Sequence, residues 1–142
     1  MILYLDTSAL VKAYISEQYS SNVLSAMQKA NIVAAHLLSY VEAHAAFSRL
    51  RREKKINEKE FDVTKNSFVR DWENYLQIEN NIQLMELAVD YADIFSLRAY
   101  DSVHLAVAVL LLRQSKQQVA FACFDQHLNK PAKVLGLDLL MQ

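Results

Sequence analysis

Four apolar residues, Ile2-Leu3-Tyr4-Leu5, run directly into Asp6 and then into two hydroxyl residues, Thr7 and Ser8. An unbroken apolar run of this length reads as a strand buried on both faces, the pattern of a parallel sheet. A helical pattern follows over about Ser8 to Ile15, and either Thr7 or Ser8 can cap it. The same alternation then repeats. A helix beginning near Ser20 or Ser21 carries Val23, Leu24 and Met27 at helical spacing, and Ile32-Val33-Ala34-Ala35 is a second short strand. A long helix opening at Ser39-Tyr40-Val41-Glu42 and ending near Lys55 has Tyr40, Ala43, Phe47 and Leu50 on one side. Asn57, with Glu60 three residues on, starts a helix bearing Phe61, Phe68 and Trp72.

The second half continues the pattern. Tyr75-Leu76-Gln77-Ile78 predicts a third strand, and Asn81 caps a helix with Leu84, Leu87, Ala88, Tyr91 and Phe95. Asp101 heads a helix over Ser102 to Arg113 that is apolar nearly all round, so it belongs at the centre. Val119 to Cys123 is the fourth strand, ending two residues before Asp125. The stretch holding Pro131 and Gly136 is poorly determined, and Leu137 to Met141 predicts a last edge strand. Strands alternating with helices imply right-handed crossovers and a three-layer α/β/α architecture.

Composition narrows the class. A length of 142 residues predicts a single domain, and 53% hydrophobic residues argue against disorder. The net charge of −1 gives no global basic field, so a nucleic-acid partner would need a local patch or a metal. Cys123 is the single cysteine, which excludes an internal disulfide framework and fits a reducing, cytoplasmic compartment. No basic segment precedes the first strand, so no signal peptide is expected. The longest apolar run, Leu105 to Leu112, is too short to span a bilayer, and no membrane partner is expected.

Four carboxylates then stand out: Asp6, Glu42, Asp101 and Asp125. Asp6 and Asp125 follow strands, Glu42 lies in the first turn of a helix after a strand, and Asp101 begins the buried helix. In a doubly wound sheet all four can reach one end, where ligand crevices form. At a separation of about 5 Å, two such charges repel by roughly 3 kcal/mol at an effective dielectric of 20. Hard divalent cations relieve that repulsion, and carboxylate oxygen is the ligand that Mg²⁺ and Mn²⁺ prefer. Metals so held can activate water and clamp both oxygens of an in-line phosphoryl displacement. Each carboxylate also has a purely structural reading. Ser39-x-x-Glu42 is a capping box, Asp101 an N-cap, Asp125 a turn residue and Asp6 a turn or cap residue.

These residues carry a resemblance. Leu5-Asp6-Thr7-Ser8-Ala9-Leu10-Val11-Lys12 resembles the opening of PIN domains, specifically the VapC-type toxin nucleases. Ser39-x-x-Glu42 resembles their second acidic position, and Leu97 to Ala106, with Asp101-Ser102-Val103-His104 inside it, their most specific segment. Phe124-Asp125 with Leu128 and Ala132 is similar to their last one. The resemblance implies a five-stranded parallel sheet of order 3-2-1-4-5 and an endoribonuclease dependent on Mg²⁺ or Mn²⁺. It also implies a cognate VapB-type antitoxin. In that order the sheet's switch point falls between the strands ending at Asp6 and Asp125. Two residues depart from the family pattern: Cys123 stands where Thr or Ser is usual, and Ser102 replaces a common Ala.

The expected function is therefore hydrolysis of RNA phosphodiester bonds, with Asp6, Glu42, Asp101 and Asp125 as catalytic metal ligands. The competing class is an inert PIN-like module that binds RNA or a protein. A phosphatase with an aspartyl nucleophile fits less well, because Ser8 stands where a second Asp would be wanted. Of the basic run Arg49, Arg51, Arg52, Lys54 and Lys55, Arg49 lies two turns beyond Glu42 on roughly the same face. It is the candidate RNA contact, against the alternative of a solvated helix end favoured by the dipole. His104 reads as a core histidine bonded to backbone, with metal ligation as the alternative. Phe61, Phe68 and Trp72 read as core or an oligomer surface, and a homodimer is expected.

Overall fold

The structure, a computed structural model, describes residues 1–140. Five parallel strands lie in the order β3-β2-β1-β4-β5, the order the family resemblance implies. The strands are β1 (Ile2–Leu5), β2 (Ile32–His36), β3 (Leu76–Ile78), β4 (Val119–Ala122) and β5 (Asp138–Leu139). The helices are α1 (Thr7–Lys12), α2 (Ser20–Lys29), α3 (Leu38–Arg52), α4 (Glu58–Trp72), α5 (Ile82–Ile94), α6 (Ala99–Ser115) and α7 (Gln126–Val134).

β1 is the central strand, and all four of its residues are buried. Successive side chains on a strand point to opposite faces, so β1 divides between two cores. Ile2 and Tyr4 pack with α5 and α6 residues such as Leu84, Leu105 and Val109. Leu3 and Leu5 pack with α1, α3 and α4 residues such as Leu10, Phe47 and Phe68. The sheet is thus the middle layer of three. Phe61, Phe68 and Trp72 are core residues, which settles their reading. α6 is the buried helix its composition implied, with Leu105 through Val109 all inside. Among the described residues, no single helix is long and apolar enough to cross a membrane.

Several expected boundaries shift. α1 is capped by neither Thr7 nor Ser8: Asp6 is the cap, and its Oδ1 accepts from the backbone N–H of Ala9 at 2.8 Å. α1 also ends at Lys12 rather than Ile15. α3 begins one residue before Ser39, so the expected capping box does not form, and Ser39 sits buried inside the first turn. α6 begins at Ala99 with Arg98 as its cap residue, leaving Asp101 within the first turn instead of at the cap. β4 ends at Ala122, and β5 is two residues long; Met141, the expected end of that strand, lies outside the described residues. The undetermined stretch is a helix, α7, with Pro131 inside it. Its end is a Schellman motif: the N–H of Leu137 bonds the carbonyl of Ala132, and that of Gly136 the carbonyl of Lys133. Gly136 adopts the positive φ of 93° that this stop requires.

Candidate active site

The carboxyl end of the sheet opens into a cavity of about 460 Å³. Asp6, Glu42, Asp101 and Asp125 all line it, together with Thr7, Ser8, Arg98 and His104. The four carboxylates predicted from sequence are therefore brought to one place, each by a different element.

Asp6 follows β1, and its backbone N–H donates to the carbonyl of Ala122 at 3.1 Å, which ties it to the end of β4. The residue is buried, and Oδ1 accepts both from Ala9 N–H and from the Ser8 hydroxyl, each at 2.8 Å. Glu42 rises from α3, and its Oε1 accepts from the Thr7 hydroxyl at 2.8 Å. Thr7 has one proton to give, so the Ser39 hydroxyl, 2.8 Å away, donates to Thr7 Oγ1 in turn. Ser39, Thr7 and Glu42 form a relay from the start of α3 across to α1. Asp101 accepts at Oδ2 from Arg98 Nε at 3.2 Å; the Arg98 side chain is 85% exposed and that of Asp101 22%. Asp125 caps α7, with Oδ1 accepting from His127 N–H at 2.9 Å. In each case one carboxylate oxygen is anchored, and among the described residues the other makes no hydrogen bond.

The wall beneath the carboxylates is a buried polar pair. The Tyr4 hydroxyl and His104 Nδ1 lie 2.5 Å apart, so His104 is a core histidine, but its partner is a side chain rather than backbone. Burial pushes the Tyr4 hydroxyl pKa up, with Asp6 and then Glu42 adding to the shift. Burial lowers His104 to about 4 against an opposing pull from Asp6, so the ring is neutral at pH 7. Cys123 is also buried; burial first and the Asp6 charge second push its thiol up, so it is a neutral thiol. Its Sγ accepts from Asp125 N–H at 3.4 Å, so it supports the turn at the last carboxylate through an acceptor weaker than a hydroxyl. Asn129, buried, donates from Nδ2 to the Cys123 carbonyl at 2.9 Å and closes the same turn.

Arg49 does not line the cavity. It lies in a groove of about 330 Å³ along α3, with Ala45, Ala46 and Arg52, and Glu42 lines both the groove and the cavity. The basic run is split by the helix. Arg51 pairs with Glu58 at 3.6 Å and covers the Phe61 ring at 3.9 Å, while Arg49 and Arg52 make no ion pair among the described residues.

The donor set is all oxygen, which suits a hard divalent cation. As they stand, no three His, Cys, Asp or Glu side chains among the described residues are close enough to hold one ion. Sequence reasoning missed Thr7 as the anchor of Glu42, Arg98 as the partner of Asp101 and Tyr4 as the partner of His104. Arg98 was findable, because residues three apart on a helix are neighbours. The others join residues 35 and 100 positions apart and left no local signal.

No family model matches the chain. Ribonuclease VapC49 of Mycobacterium tuberculosis is 26% identical over 139 residues, 95% of this chain and 92% of that protein. Among solved structures, the crystal structure of VapBC2 from Rickettsia felis bound to a DNA fragment from its promoter superposes with a TM-score of 0.63 and 16% identity. That match covers 98% of this chain and 97% of that one. The fold is PIN-like, and in sequence the chain is similar to a VapC ribonuclease. VapC20 of Mycobacterium tuberculosis, described as a sarcin–ricin loop cleaving toxin, matches this PIN-like fold with a TM-score of 0.62 and 14% identity, over 91% of this chain and 94% of that one.

Proposed function

We propose that this chain is an endoribonuclease toxin that hydrolyses RNA phosphodiester bonds in the carboxylate-lined cavity. The observation that carries the reading is the convergence of Asp6, Glu42, Asp101 and Asp125 from four elements on one cavity, each with an unengaged oxygen. Those four would hold Mg²⁺ or Mn²⁺. When bound, the cation supplies the positive charge that activates water and stabilises an in-line displacement at phosphorus. The chain's own part is orientation. Thr7 fixes Glu42, Ser8 and the α1 N-terminus fix Asp6, and α7 fixes Asp125. Arg98 balances Asp101 and, being largely exposed, is free to swing away. Arg49 and Arg52 would receive the RNA backbone along the α3 groove, since phosphate contacts from Arg position a strand without reading its sequence.

VapC49 is named a ribonuclease, and a toxin–antitoxin complex from Klebsiella pneumoniae shares the fold with a TM-score of 0.60. By that likeness a VapB-type antitoxin would cover the cavity and hold this chain inactive. A homodimer would bury the exposed Ile82, Val89 and Ile94 of α5.

One observation favours a second reading, an inert module that docks RNA or a protein: among the described residues no three of the carboxylates are close enough to hold one ion together in the present arrangement. Calorimetry with Mn²⁺ separates the two, because an inert module binds it weakly or not at all. The direct test incubates the purified protein with structured RNAs with and without chelator. Cleavage that needs Mg²⁺ or Mn²⁺ supports the proposal, and cleavage surviving full chelation sinks the metal mechanism. In cells, expression alone should arrest growth, and Asp6→Asn should relieve the arrest.

A further inference from the structure

A phosphodiester entering this cavity meets four carboxylates and few free donors. The Thr7 hydroxyl donates to Glu42 and the Ser8 hydroxyl to Asp6. Arg98 directs its Nε at Asp101 and lies mostly in solvent. His104 is different. It is 5% exposed, its ring lines the cavity, and its Nε2 neither makes a hydrogen bond among the described residues nor counts among the sealed polar atoms. The ring therefore meets the cavity through Nε2.

The other nitrogen decides where the proton sits. Nδ1 faces the Tyr4 hydroxyl, a buried group with no other side-chain partner among the described residues. A buried hydroxyl needs an acceptor for its proton. If Tyr4 donates to Nδ1, a neutral imidazole must carry its own proton on Nε2. We infer that Tyr4 fixes His104 as the Nε2–H tautomer, and that this N–H donates into the cavity to a phosphate oxygen of the bound RNA. The inference rests on the reading of the cavity as an RNA phosphodiester site. The burial that keeps His104 neutral at pH 7 is consistent with it. The ring's orientation is set from two sides, by Tyr4 and by the edge of the His36 ring at 6.3 Å. His36 in turn is held by Asn80, 2.6 Å from its Nε2. A donor so braced needs no reorganisation when the anion arrives, which is the condition under which such donors contribute most.

Two measurements test this. Long-range ¹H–¹⁵N correlation spectra of the free protein at pH 7 should show His104 protonated at Nε2, and Tyr4→Phe should give a mixture of tautomers. Binding of a labelled single-stranded RNA by fluorescence anisotropy, with initial cleavage rates in Mn²⁺, should then separate the variants. His104→Leu should weaken binding or raise KM roughly ten-fold or more, the scale for a hydrogen bond to a charged group. His104→Gln, whose amide nitrogen reaches near the Nε2 position, should recover most of the loss. Tyr4→Phe should fall between, and it carries the test if His104→Leu does not fold. An Nδ1–H tautomer in the wild type overturns the inference. So does wild-type binding and kcat/KM in folded His104→Leu, even with hydrolysis itself intact. Conversely, RNA binding that depends on His104 without any cleavage supports the donor and removes the hydrolytic reading.

Discussion

At the scale of single residues, capping and metal binding need not compete for a carboxylate. Asp6 and Asp125 cap helices with one oxygen and leave the second unengaged. Glu42 does the same with a hydroxyl as its anchor. This changes what substitutions should do. Glu42→Gln still accepts from Thr7, so it should unfold in urea within about 0.5 kcal/mol of wild type. It should nonetheless lose most cleavage, because an amide supplies no charge. Thr7→Val removes the middle of the Ser39–Thr7–Glu42 relay and should cost about 1–3 kcal/mol while lowering cleavage through a misplaced Glu42. If Glu42→Gln cuts RNA at the wild-type rate, the site reduces to three aspartates.

At the scale of elements, the helices divide into those that build the site and those that support it. α4 is a supporting helix, begun by a full capping box between Asn57 and Glu60, as the spacing foretold. Asn57→Ala should cost about 1 kcal/mol in denaturant unfolding and leave cleavage unchanged where the protein is folded. The β4–α7 turn behaves oppositely. Asn129→Leu strands the buried Cys123 carbonyl, so it should cost about 1–3 kcal/mol and also depress cleavage, since the same turn presents Asp125. α7 itself was hidden by Pro131, which reads as a helix breaker. The helix survives because Leu128 and Ala132 bury against the core and Gly136 completes its C-terminal stop.

At the scale of the whole molecule, ligand and proton equilibria report on the site together. Mn²⁺ should raise the wild-type melting temperature and do less for Asp6→Asn and Asp101→Asn; equal shifts in all three would mean the ligands are misassigned. His104 adds a pH dependence of known sign. Its folded pKa, about 4, lies below the ordinary histidine value of 6.5. Between those values the unfolded chain binds a proton that the folded chain refuses, so stability falls as pH drops from 6.5 toward 4. The full effect is roughly 3 kcal/mol. Urea unfolding across that range should show a shallower loss for His104→Gln than for wild type.

The sequence by itself determined the alternation of strands and helices, the burial of β1 and α6, and the four acidic positions. Apolar runs and turn chemistry are local properties, and the acidic residues stand at recognisable ends of those runs. The family resemblance added the strand order. Tertiary structure alone decided which atom each of these side chains engages. Ser39 and Glu42 have the spacing of a capping box, yet the helix starts one residue early and both are drawn to Thr7 across the gap between α1 and α3. Tyr4 reads as one more apolar strand residue until β1 and α6 meet and its hydroxyl finds His104. A buried polar group must be satisfied by whatever the packed chain brings within reach, and that choice is made only when distant elements close on one another.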